Sequence, residues 1–216
     1  MTAPRKPLST TLAVAAIAAL GMIAPALAEY GGDKDKKKSG NEYQSMIGQP
    51  APAFTLEDTD GATHSLADFR GKTVVLHWQG VRCPWDQAYQ PQFNQLAEQH
   101  ADRGVVFIGI NSNKNEDVEL INGYKPKAGI EYPILKDPGN EVADAYHAKT
   151  TPHMYVIDGE GVLRYAGGVE AVPGTLGQVS EMDEQYLEPV IKAVAGGSEP
   201  PYTVTKSKGC SIKRVN

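Results

Sequence analysis

The sequence predicts an α/β domain with a central mixed β-sheet and helices on both faces, in three layers. Three observations lead there. Val74–Leu76 and Val105–Ile110 are apolar, β-branched runs of the kind carried by strands covered on both faces. Between them, Trp85, Tyr89, Phe93 and Leu96 recur at helical spacing. Further on, Met154–Ile157 and Val162–Tyr165 flank Asp158-Gly159-Glu160-Gly161 as a hairpin would. The long strands on either side of the first helix suit a right-handed parallel crossover, and the hairpin adds antiparallel strands at one edge.

The remaining elements follow in chain order. Residues 1–28 read as a secretory leader: Arg5 and Lys6, the apolar run Leu12–Leu20, and a small-residue site at Ala26-Leu27-Ala28 with the cut after Ala28. An uncleaved N-terminal anchor is the alternative. Residues 29–46, with Lys34, Lys36, Lys37 and Lys38, form a flexible charged linker. The folded domain spans 47–196. It begins with an extended segment to Leu56, a turn at Asp58–Gly61 and a short helical turn over Ser65–Phe69. After the central strand, the first helix runs from Pro84 to near Gly104. Asp117–Tyr124 is a modest helix, Tyr132–Leu135 an extended segment, and Asn140–Ala148 a short helix with Val142, Ala145 and Tyr146 inward. Leu187–Ala195 is the final amphipathic helix. Residues 197–216 are a basic, proline-containing tail, solvated and free to move, that carries Cys210.

Composition narrows the function. The 216 residues suffice for one full domain, and the 41% hydrophobic content is that of a globular protein. Removing residues 1–28 leaves 19 basic against 26 acidic residues, which argues against a nucleic-acid surface. No 18-residue apolar run lies beyond the first thirty residues, so no stable membrane insertion is expected. The chain has two cysteines, Cys83 and Cys210, too few for a disulfide-held scaffold. An exported chain, periplasmic or secreted, meets an oxidising compartment in which such a pair can react.

The candidate chemistry centres on Cys83. A buried strand delivers it to a helix start, where Pro84 fits the first position and loses no hydrogen bond. Free N–H groups there, and Arg82 alongside, favour a thiolate. Asp86 falls in the first turn, either satisfying helix-start N–H groups or accepting the thiol proton.

Gly48-x-Pro50-x-Pro52-x-Phe54-x-Leu56, Leu66-x-Asp68-Phe69-x-Gly71-Lys72, Cys83-Pro84 and Thr151-Pro152 resemble the redoxins of the alkyl hydroperoxide reductase/thiol-specific antioxidant (AhpC/TSA) type. Trp85 and Tyr89 after the cysteine, Ile110–Asn113 and Gly209-Cys210-Ser211-Ile212-Lys213 are similar to a peroxiredoxin-like subgroup. The resemblance implies a thioredoxin fold, a cis bond before Pro152 and backbone groups at Thr151 open to an extended substrate. It also implies antioxidant or thiol oxidoreductase activity without an organic cofactor. The sequence departs from the family in several places: Leu76 stands where peroxiredoxins carry a proline, and Thr151-Pro152 resembles the thioredoxin loop rather than the arginine-bearing loop of peroxiredoxins. Asp86 stands where thioredoxins carry a second cysteine, and Gly80 where peroxiredoxins carry a threonine or serine.

The expected function is redox chemistry through Cys83 on a protein disulfide or a peroxide, with Cys210 or an external thiol restoring it. His153, after the proline, is a candidate to approach Cys83 as an acid–base partner or as part of a soft metal site. The alternatives are a non-catalytic module holding a client or copper, and a domain with a purely structural Cys83–Cys210 bridge.

Overall fold

The computed structural model describes residues 42–215. The leader expected over 1–28, its cut after Ala28 and the linker up to residue 41 lie outside the described residues.

Among the described residues the main sheet has five strands in the order β5–β4–β3–β7–β8. The central strand β3 (Thr73–Trp78) pairs in parallel with β4 (Val105–Asn111), which pairs in parallel with β5 (Ile134–Lys136). On its other side β3 meets β7 (His153–Ile157) antiparallel, and β7 turns back into β8 (Leu163–Gly167). Two small two-stranded sheets flank this one. β1 (Thr55–Glu57) pairs with β2 (Thr63–Ser65), and β6 (Thr150–Thr151) pairs with β9 (Cys210–Ser211).

Alternation along the strands builds two cores. Val75 and Val156 point to one face, where α1 (Pro84–Ala101), α2 (Val118–Tyr124) and α4 (Leu187–Ala195) bury Tyr89, Phe93, Leu96, Ile121, Val190 and Ile191. Val74, Leu76, Trp78, Tyr155 and Ile157 point to the other, against Tyr43, Tyr146 and α3 (Glu141–Ala145). Sheet and helices thus form the expected three layers. A capping box between Ser65 and Asp68 closes the short helical turn Leu66–Phe69.

Some expectations need correction. The ordered chain begins before Ile47: residues 42–46 are helical, and Tyr43 is buried with its hydroxyl donating to His147 O at 2.8 Å. The lysine-rich composition just upstream hid this aromatic anchor. In α3 the inward alanine is Ala143, while Ala145 is exposed. Trp85 leaves the buried face of α1, and its ring lies 4.9 Å beneath the Lys208 ammonium.

The tail is docked rather than free. Gly168 N donates to Thr205 Oγ1 at 3.0 Å and Thr150 Oγ1 lies 2.9 Å from Ser207 Oγ. Val215 N donates to Asn140 Oδ1 at 2.7 Å, and Arg214 pairs with Asp144. Long-range contacts of this kind leave no periodic signature in a short polar segment.

Candidate active site

Strand β3 ends at Trp78, and five residues later Cys83 sits as the N-cap of α1 in extended conformation, with Pro84 at the first helical position. The intervening loop is held from three directions. Cys83 N donates to Gly80 O at 2.9 Å. The buried Glu116 carboxylate accepts from Val81 N at 3.1 Å and Arg82 N at 2.9 Å, and also from the amides of Asn111 and Asn113. Asp86, buried on α1, accepts from Gly80 N at 2.7 Å.

Opposite the loop stands the cis Thr151–Pro152 peptide. Cys83 Sγ donates to Thr151 O at 2.9 Å. Thr151 is the bridge partner of Cys210 in the β6–β9 pair. That register brings Cys210 Sγ to 2.7 Å from Cys83 Sγ, and both are free thiols. A cavity of about 150 Å³ opens at the two sulfurs, lined further by Arg82, Asn113, Glu116, Thr151 and Lys213. A larger cleft of about 700 Å³ lies away from the sulfurs, between α1 and residues 129–133.

The electrostatics divide the cysteines. Burial, then the hydrogen bond and charge of Cys83, push the Cys210 thiol up to about 12; Asp86 adds to this and Lys213 opposes it. Cys210 therefore keeps its proton at neutral pH and can donate it toward Cys83. Burial raises the Asp86 carboxyl above its usual range, against the pull of His77 and Gly80 N–H.

The sequence-selected residues thus separate into two groups. Cys83, Cys210, Thr151 and Pro152 converge. Arg82 exposes its side chain at the cavity while its backbone is bound to Glu116. Asp86 neither caps its own helix nor bonds the thiol. Its two oxygens go to His77 Nε2, at 3.0 Å, and Gly80 N. His77 is packed as a core residue and also meets the Tyr132 hydroxyl at 3.2 Å.

His153 is turned elsewhere. Alternation along β7 puts its ring on the face opposite α1, 4.6 Å from the Tyr155 ring and 5.1 Å from that of Tyr43. Burial there lowers its pKa to about 3.

Glu116 and Asn113 are site residues that periodicity did not select. Their trace in the sequence is the polar run Asn111–Glu116 directly after a buried strand. Gly80 has its own reason: a Cβ there would lie 2.6 Å from Thr151 Oγ1 and 3.2 Å from Asn113 Nδ2. Among the described residues, no group of three or more His, Cys, Asp or Glu side chains is placed to hold a metal ion.

Comparison with known proteins gives a consistent set of likenesses. A family model described as AhpC/TSA matches residues 47–166. The thiol-disulfide oxidoreductase ResA of Bacillus thuringiensis is 28% identical over 149 residues, 69% of this chain and 81% of that protein. ResA of Halalkalibacterium halodurans is 29% identical over 146 residues, 67% and 77% of the two chains. Among solved structures, a hypothetical protein from Sinorhizobium meliloti superposes with a TM-score of 0.68 at 28% identity, covering 78% of this chain and 94% of that one. A thiol:disulfide interchange protein of the thioredoxin family from Chlorobium tepidum (TM-score 0.54, 24% identity, 68% and 96% coverage) shares the fold. The chain has the thioredoxin fold.

Proposed function

Because this chain belongs to the AhpC/TSA family, we propose that it is a thiol oxidoreductase in which Cys83 attacks and Cys210 resolves. The observation that carries this reading is the 2.7 Å approach of the two sulfurs beside the cis Thr151–Pro152 peptide. The ResA relatives, named as thiol-disulfide oxidoreductases, favour a disulfide as the substrate.

The steps balance as two exchanges. The Cys83 thiolate attacks one sulfur of a substrate disulfide, forming a mixed disulfide and expelling the other sulfur as a thiolate that takes up a proton. Cys210 then gives up its proton and attacks Cys83 Sγ. This forms the Cys83–Cys210 bond and releases the second substrate thiolate, which is protonated in turn. One substrate disulfide becomes two thiols, and the chain's two thiols become one disulfide. An external dithiol reverses the second change. No cofactor takes part.

A second reading has one specific observation behind it. The cavity at the sulfurs admits a small oxidant with the tail in place, and Thr151 Oγ1 stands where a side chain on Gly80 would otherwise lie. A hydroperoxide entering there would oxidise the thiolate to a sulfenic acid with loss of an alcohol, and Cys210 would condense with it, releasing water.

The setting is extracytoplasmic, periplasmic or secreted: residues 1–28 have the pattern of an export leader, and an oxidising compartment suits a reactive cysteine pair. Among the described residues no helix is long and apolar enough to cross a membrane.

Turnover of a protein disulfide by the full-length chain, with a dithiol as reductant, tests the assignment. Cys83→Ser should abolish it. Cys210→Ser should stop after the first exchange with the substrate trapped on Cys83. Equal turnover by wild type and Cys83→Ser would end the proposal.

A further inference from the structure

Residues 209–213 lie on the Thr150–Thr151 edge in the manner of a bound peptide, and their contacts are specific at alternate positions. Gly209 rests flat on the cis peptide. A Cβ at 209 would lie 2.1 Å from Thr151 O, 2.5 Å from Thr151 C and 3.0 Å from Pro152 N, all rigid backbone. Cys210 faces Thr151 and reaches Cys83. Ser211 faces Thr150 and is exposed. Ile212 is 7% exposed within the Tyr43–Tyr155 core, and its N–H donates to Lys149 O at 3.0 Å. Lys213 is held by its backbone alone: its N–H donates to Asn113 Oδ1 at 2.8 Å and its carbonyl accepts from Lys114 N at 2.8 Å. Backbone pairing at Cys210 and Ile212 and backbone bonds at Lys213, with side-chain requirements at only two positions besides the cysteine, resemble the way strand-addition sites bind peptides.

The tail is docked through polar contacts with little apolar burial. Of residues 201–215 only Ile212 is buried, and the β6–β9 pair is two residues long. Strands this short have little pairing of their own to lose on exchange. We propose that residues 209–213 are an internal stand-in for substrate on this edge, that the edge therefore selects extended segments of the form Gly-Cys-x-apolar, and that tail and substrate segment exclude each other. The inference builds on the reading of Cys83 as the reactive thiol, but binding itself needs no sulfur chemistry. A protein disulfide then reaches Cys83 only as the tail lifts, and Cys210 attacks the mixed disulfide as the returning tail displaces the substrate segment. A small oxidant enters through the cavity with the tail in place.

The test uses the full-length reduced chain and a fluorescent peptide of residues 207–215 with serine in place of the cysteine. Gly209→Val should unseat the tail and bind this peptide at least about tenfold more tightly than wild type, since the internal competitor is lost. Ile212→Asp, which removes the single buried anchor, should do the same by a different route. Peptides with valine for the glycine or aspartate for the isoleucine should bind no better than a scrambled one. In the wild-type chain, saturating peptide should speed alkylation of Cys210 several-fold, read by mass spectrometry, and a scrambled peptide should not. If neither variant gains affinity and Cys210 labelling in the wild type does not respond, the proposal is overturned. None of these readouts requires Cys83 to react, so a failed oxidoreductase assignment would leave them intact.

Discussion

Thr151 and Cys210 pair across an antiparallel bridge, so the residue before the cis proline holds the second cysteine against the first. The chain has no second thiol on α1, where Asp86 stands one turn from Cys83. The partner sulfur arrives instead from 127 residues away in sequence, on a strand pinned to the opposite wall of the site. Active-site dithiols are usually built locally. Here the pair depends on tail docking, and so do several consequences.

Cys83 suppresses the ionisation of Cys210. After burial, the hydrogen bond and charge of Cys83 are the next causes holding that thiol up to about 12. Replacing Cys83 by serine removes the charge, so Cys210 should be alkylated by iodoacetamide several-fold faster in Cys83→Ser than in wild type at pH 8. Burial persists, so the thiol should still react more slowly than a free cysteine. In the proposed mechanism the same release would follow once Cys83 is tied up in a mixed disulfide, freeing Cys210 for the step that needs it. Slower Cys210 labelling in the variant would contradict this coupling.

Glu116 organises the loop ahead of Cys83. It is 3% exposed, and its two oxygens serve two backbone N–H groups and two asparagine amides. Glutamine would turn an NH₂ group toward donors that need an acceptor. Glu116→Gln should lower unfolding stability by about 1–3 kcal/mol, the cost of leaving a buried donor unmatched. Glu119→Gln, on the exposed side of α2, should stay within about 0.5 kcal/mol of wild type. Urea titration of both variants measures the difference.

His153 predicts an acid-sensitive fold. Burial lowers its pKa from 6.5 to about 3 in the native chain. The unfolded chain therefore binds more protons between these values. The contribution is fully present above pH 6.5 and is lost as pH falls through that window toward 3, on the order of 5 kcal/mol in all. Other groups titrate there too, so the readout is the difference in slope between wild type and His153→Gln from pH 7 to pH 4. Parallel slopes would mean that His153 contributes nothing to acid lability.

Local chemistry made much of this legible in the sequence. The apolar runs at Val74–Leu76 and Val105–Ile110 became β3 and β4, and the limits expected for the last helix match Leu187–Ala195. Cys83 lies at a helix start because Pro84 marks one. The features that escaped depend on contacts between distant segments. Nothing near Glu116 says that its carboxylate will reach Val81 and Arg82, 34–35 residues earlier. His153 was expected near the sulfur because it follows Pro152. The face a strand residue takes is fixed by register with its neighbour, here His153 opposite Trp78. The tail's composition reads as solvent-exposed, yet one glycine and one isoleucine seat it, and glycine is informative only once Thr151 is known to lie against it.

If Cys83 and Cys210 of one chain are a working redox pair, oxidation joins them. The most direct measurement treats the reduced full-length protein with one equivalent of glutathione disulfide, quenches by acid and alkylation, and maps the peptides. A Cys83–Cys210 cross-link within a single chain is expected, with two glutathione thiols released per protein. Glutathione retained on Cys83 with Cys210 alkylated, or a Cys210 link between two chains, would contradict it.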